Sequence, residues 1–254
     1  MRYVTLGISL FVCLGLAASV AAAQEEEKRE NETTSFEIAP YLWMAGAKGT
    51  VGVRGLSTDV GVRFTDLVQD LDFGVMAAAK LRLKRWTFTG DFNYIKMSAD
   101  GEPSGALFSG SHLESQFIMG SLTMGYTMTM EDRGLAEFFA GARGWRIDTD
   151  VDFDAGVLPA TSVSQTKGWV DPIVGANFQY NLGKSWYLHA VTDIGGFGVS
   201  SWMTGQVILG ASLRLSDHWR ITAAYRYLSD DFEDGNFHWK VAQHGVLVGI
   251  GLRF

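Results

Sequence analysis

Three groups of side chains have the types and spacing to do chemistry. In "DTDVDFDAG", Asp148, Asp150, Asp152 and Asp154 occupy every second position. On an extended strand these carboxylates share one edge, and hard oxygen ligands so spaced suit calcium. The match to a calcium loop is incomplete, because Ala155 stands where the loop needs glycine and no glutamate follows at the right distance. A solvated hairpin extension is the alternative. Bridging lipopolysaccharide phosphates through divalent cations is another use of the same carboxylates. The second group is Asp230, Asp231, Asp234, His238 and His244. A carboxylate beside a histidine can activate water as a general base. Here the acids crowd one polar loop without the spacing of a Ser-His-acid set, so no catalytic residue is assigned.

The third group is larger and recurs with a period of two. Glu37, Asp72, Lys80, Arg82, Asp91, Glu137, Arg143, Asp171, His189, Asp193, Arg214, Arg220, Arg226 and Arg253 all fall on one parity of apolar-alternating segments. Six acids face seven strong bases. On the inside of a narrow barrel such charges must pair, since an unpaired buried charge costs several kcal/mol. Gly175, Gly210, Gly249 and Gly251 share that parity and leave room for long arginines.

Alternation of this kind belongs to strands. Ten segments carry it, at 35–46, 71–83, 86–98, 112–129, 135–148, 168–182, 185–197, 203–215, 218–229 and 241–254. Each is about ten residues or more, the length a tilted strand needs to cross a bilayer. Short turns such as Lys84-Arg85, Gly183-Lys184 and Ser216-Asp217 alternate with longer connections. That asymmetry predicts an all-β, antiparallel, up-and-down transmembrane barrel of ten strands, with eight or twelve as neighbouring counts. Short turns and both termini would face the periplasm. Residues 47–70 form either a protruding hairpin or an added strand pair, and 65–71 could make one helical turn.

A soluble barrel also alternates, with its apolar face inward. Aromatic placement separates the two readings. Phe36, Trp86, Tyr126, Phe138, Tyr180, Trp186, Trp219 and Phe254 share the apolar parity and sit next to short turns or termini. Together they predict a girdle at one membrane interface. Tyr94, Tyr225 and Tyr227 occupy the same face near the opposite ends. The tryptophans are therefore expected on the membrane side of the wall, and the ionised groups within it.

Composition narrows the partners. A net charge of -7 excludes a nucleic-acid surface, which needs clustered Lys and Arg. Residues 1–23 read as a secretory signal: Arg2, then an apolar run from Val4 to Val20, then Ala21-Ala22-Ala23 before Gln24. An uncleaved anchor helix is the alternative. Cys13, the single cysteine, follows Val12 and does not fit a lipoprotein signal. Residues 24–34 read as a charged spacer, and 35–254 as the barrel.

The alternation ending in Phe254 resembles the C-terminal signature of Gram-negative outer-membrane barrels, which implies recognition by their assembly machinery. "PYLW" (Pro40–Trp43), "GWVDPIVG" (Gly168–Gly175), "DIGGFGVSS" (Asp193–Ser201) and "YRYLSDDF" (Tyr225–Phe232) are similar to a widespread uncharacterised group of such proteins. The resemblance implies location and architecture, and no reaction. The leading expectation is an integral outer-membrane protein with a charged, largely plugged lumen and a structural or surface-binding role, in contact with lipid and lipopolysaccharide. A narrow solute channel is second, and an outer-rim hydrolase of peptides or lipid A third. No cofactor is expected, and the sequence names no small-molecule ligand.

Overall fold

The computed structural model describes residues 34–53, 56–101, 108–130 and 133–254. The signal assigned to 1–23, and the spacer up to its last residue, lie outside the described residues.

The described chain folds into eleven strands and one short helix. The strands are β1 (Thr34–Val53), β2 (Leu56–Val62), β3 (Leu71–Leu83), β4 (Trp86–Gly101), β5 (Phe108–Met130), β6 (Gly134–Ala155), β7 (Thr161–Asn181), β8 (Trp186–Gly195), β9 (Ser201–Arg214), β10 (Trp219–Asp234) and β11 (Phe237–Arg253). Every neighbouring pair is antiparallel, and β11 pairs back onto β1, closing the sheet. Ten strands make the cylinder. The eleventh, β2, pairs only with the upper part of β1, where Ala47 to Val53 oppose Val62 to Leu56. Residues 47–62 are thus the protruding hairpin, and α1 (Phe64–Leu67) is the helical turn, slightly earlier than its sequence position suggested.

Period-two alternation forms these strands because one face meets hydrocarbon and the other the barrel interior. The eight girdle aromatics are all exposed on the outer wall at the end carrying the short turns. They pair across strands: Phe36 stacks on Phe254, Trp86 meets Tyr126 edge-on, and Phe138 meets Phe178. From Trp219 to Tyr227 a strand tilted by about 40° climbs roughly 20 Å, close to the ~25 Å apolar band of such barrels. Lys84 opens the β3–β4 turn at φ 60°, as a two-residue hairpin requires at its first position. At the closing seam a Cβ on Gly245 would overlap the Met44 carbonyl oxygen, so only hydrogen fits there.

The opposite rim is uneven. Strands β5, β6 and β7 run 23, 22 and 21 residues, whereas β8 has 10. Pairing of β7 to β8 stops at Ile173 and Gly195, so residues 161–172 of β7 rise above the β8 top. The side chains of Asp230, Phe232 and Asp234 on β10 reach across the lumen to that part of β7.

Candidate functional site

The lumen is built in three layers. The lowest is hollow and opens at the end bearing the termini. Its outer part holds a cavity of about 160 Å³ lined by Glu37, Lys80, Arg82, Glu137, Asp217 and His218 among others. A deeper cavity of about 250 Å³ shares Lys80, Glu137, Gln179, Tyr187 and Arg220 with it and reaches up to Asp193 and Arg226. Arg220 pairs with Glu37 and donates to the Tyr187 hydroxyl at 2.9 Å. Gly251 makes that pair possible, because a Cβ there would lie 2.7 Å from Arg220 Nε. Gly175, Gly210 and Gly249 make room instead for Phe139, Ala224 and Tyr41.

Above the chamber lies a polar belt. Arg143 Nη2 donates to both carboxylate oxygens of Asp193, at 2.9 and 2.8 Å, with the two residues only 1% and 4% exposed. Gln206 donates to the same carboxylate at 3.0 Å, and Arg143 Nη1 donates to Thr204 at 3.3 Å. Across the lumen Arg226 donates to Tyr41 at 3.1 Å and to Asp91 at 3.2 Å, while Tyr41 donates to Asp91 at 2.7 Å. Asn93 Nδ2 supplies one more donor to Asp91 at 3.0 Å. A third knot joins Asp171 and Asp230, which are 0% and 3% exposed. The Ser201 hydroxyl lies 2.7 Å from one carboxylate and 3.2 Å from the other, its amide donates to Asp171, and Trp169 Nε1 donates to Asp230.

The top layer is aromatic. Trp43, Phe117, Met119, Trp145, Trp169, Leu228, Phe232 and Phe237 form a buried cluster inside the barrel. Trp169 and Phe232 stack with ring centres 4.2 Å apart, and Trp145 stacks on Trp169 at 5.9 Å. Phe117 bridges Trp145 and Trp239. Trp43 ties this layer to the belt, since the Arg226 guanidinium sits 4.6 Å from its ring centre. None of the eight cluster residues lines either cavity.

The predicted lumen residues divide by height. Arg143, Asp193, Asp91, Arg226 and Asp171 belong to the belt. Glu37, Lys80, Arg82, Glu137, His189 and Arg214 line the chamber. Glu137 is buried and accepts from Thr127, and His189 Nδ1 has no partner among the described residues. Asp72 departs from the expectation. A bulge between Leu71 and Phe73 reverses its parity, leaving it exposed and bonded to Ser98. The tryptophans depart as well. Trp43, Trp145, Trp169 and Trp239, half of the eight in the chain, point inward. Their signal was available: aromatics on the charged parity recur far from the short turns, where the charges thin out.

The acidic quartet of "DTDVDFDAG" lies at alternate positions of β6, as an extended strand requires. Asp148 accepts from Arg146 at 2.8 Å and from Thr166 at 2.6 Å, and Asp152 accepts from Ser162 at 2.5 Å. Among the described residues no group of three His, Cys, Asp or Glu side chains is placed to hold a metal ion. The second acidic group is separated. Asp230 is sealed in the lumen, Asp231 pairs with Lys240, Asp234 with Lys167, and His244 with the Tyr225 hydroxyl. His238 lies 3.4 Å from Glu233.

The chain matches no protein-family model and no curated protein sequence. Among solved structures it is similar to the translocator domain of the autotransporter NalP from Neisseria meningitidis, at 14% identity and a TM-score of 0.54, covering 94% of this chain and 98% of that one. It also aligns with the outer membrane protease OmpT of Escherichia coli at 8% identity, covering 87% of this chain and 97% of that one, with a TM-score of 0.48. Ail of Yersinia pestis aligns at 14% identity over 88% of this chain and 99% of that one, with a TM-score of 0.36. The strand pairing closes a ten-stranded barrel, and the likeness to the translocator shows its fold to be that of a transmembrane barrel of the outer-membrane type.

Proposed function

We propose that this protein is an integral outer-membrane barrel that does not conduct and acts through its surfaces, in a structural or surface-binding role. The carrying observation is the aromatic cluster across the upper lumen, backed by the Arg143–Asp193 and Arg226–Asp91 pairs. Ten strands enclose a space that side chains largely fill, whereas open aqueous pores belong to wider barrels. The apolar outer wall and its aromatic girdle support the outer membrane as the location, reached after export directed by residues 1–23. Arg146, exposed eight residues beyond Phe138 on the same strand, supports contact with lipopolysaccharide phosphates. The C-terminal strand ending in Phe254 fits delivery through the barrel-assembly machinery, and the motifs support kinship with the uncharacterised group they resemble.

Planar-bilayer recording tests the reading. Purified protein inserted into a bilayer gives no steady unitary current; reproducible steps would replace the closed barrel with the narrow channel. The hydrolase alternative has one observation in its favour, the His238–Glu233 contact at the outer rim. Turnover of peptide or lipid A substrates, lost in His238→Ala, would establish it.

A further inference from the structure

The chamber below the belt carries more positive charge than its own acids can balance. Its wall holds the Glu37–Arg220 ion pair, and the belt above it is already paired, Asp91 with Arg226 and Asp193 with Arg143. Lys80, Arg82, Arg214 and Arg253 remain around the outer cavity, and none forms an ion pair with a described residue. Arg82 spends its Nε on the Lys84 carbonyl oxygen, 3.1 Å away, and keeps both terminal nitrogens for other partners. Against these four cations stand Glu137 and Asp217. Glu137 is buried against Thr127, and Asp217 sits in the β9–β10 turn. Deeper in, Arg220 Nε and His189 Nδ1 are buried without partners among the described residues.

Lys80 and Arg82 are half-buried in the mouth and Arg214 and Arg253 are exposed at its rim, and like charges gathered around a walled opening focus a positive field. The plug closes the far side, so an ion can relieve it only from the end bearing the termini, the periplasmic end of such a barrel. The geometry points to a periplasm-facing anion site at this mouth, held by Lys80, Arg82, Arg214 and Arg253 and taking a small solute with two or more carboxylate or phosphate groups. Guanidinium groups suit it, because each offers a planar fork of donors to a carboxylate or phosphate. Size favours a compact ligand, since the outer cavity of about 160 Å³ is below the usual 300–1,000 Å³ of drug-sized pockets. Nothing in this inference requires passage through the barrel.

Titration calorimetry on the refolded full-length barrel in a zwitterionic detergent tests the site. Citrate and inorganic pyrophosphate serve as separate probes and sucrose as a neutral control. Saturable binding of at least one anion is expected at about 1 mM or tighter, weakening with added salt, and none of sucrose. Whichever probe binds more tightly identifies carboxylate or phosphate as the natural group. The double variant Arg82→Gln/Arg253→Gln is expected to weaken binding at least about tenfold. Lys240→Gln, on the outer wall at the far rim, removes a positive charge and leaves binding unchanged. A heat-dependent gel shift confirms that each variant is folded, and Lys80→Gln replaces the double variant if that one fails to close. Absence of saturable heat with both anions, equal binding by a folded mouth variant, or an equal loss in Lys240→Gln would overturn the site.

Discussion

The two halves of the lumen solve the same problem by opposite means. Both lie behind the same apolar wall, and both are too narrow to stay empty. The upper half packs aromatic rings against one another, and the lower half keeps cavities with ions in their walls. Height explains the difference. Near the mouth that carries the termini a charge can borrow water, so Lys80 and Arg82 tolerate having no ionic partner. In the belt under the aromatic rings, Arg143 and Arg226 are paired with Asp193 and Asp91, and Asp171 and Asp230 share the Ser201 hydroxyl. The lesson is that parity decides which side of the wall a residue faces, while distance from open water decides which chemistry is affordable there.

Mutation can break this contrast at its boundary first. Arg143→Ala strands the Asp193 carboxylate in the belt and is expected to destabilise the barrel by about 3–5 kcal/mol, read as a shift of the urea midpoint. A change below about 1 kcal/mol would mean that water already reaches the belt. In the plug, Trp169→Ala empties the centre of the stack and should cost about 3–4 kcal/mol, whereas Gln179→Ala on the chamber wall stays within about 0.5 kcal/mol. Equal losses at the two positions would erase the distinction between packed and hollow halves. Glu37→Gln at the mouth removes the partner of Arg220, whose side chain is a third exposed, and should cost under about 1 kcal/mol.

The smallest effect lies above the plug, in open solvent. His112 contacts the Asp100 carboxylate at 2.7 Å, and this hydrogen bond holds its pKa above the usual histidine value. The attraction is fully present below the unfolded-state pKa and is lost as pH rises through the raised folded-state value. An NMR titration of the His112 ring should therefore show a midpoint above that of a free histidine. A midpoint at or below it would mean that the pair does not form in solution.

Much of the fold was legible in the residues. Strand positions and the girdle follow from period two and from aromatics beside short turns, both local properties, whereas the same pattern in 47–70 left a protruding hairpin and an added strand pair both open. Phe36 and Phe254 stack because register places them together at the seam, and their shared parity already pointed outward. The belt was only half legible. Arg143 and Asp193 could be placed inside, but their pairing across strands separated by 50 residues depends on barrel tilt and stagger, which no local pattern records. Asp72 was misplaced because a single bulge inverts parity for one residue. The aromatic plug went unread because inward positions were weighed by charge alone, without height. Trp43, Trp145 and Trp169 sit on the same parity as the arginines and differ from them mainly in distance from the short turns.

The Arg226 knot has a consequence for how the cylinder comes into being. Its members come from β1, β4 and β10, so Tyr41 and Asp91 meet the guanidinium only when the first and last strands have joined. A half-wound sheet inserted in lipid would leave those ions stranded in hydrocarbon, a state more expensive than either the unfolded chain in water or the finished ring. Curling up and entering the bilayer are thereby bound into a single event, and partial versions have nowhere to rest.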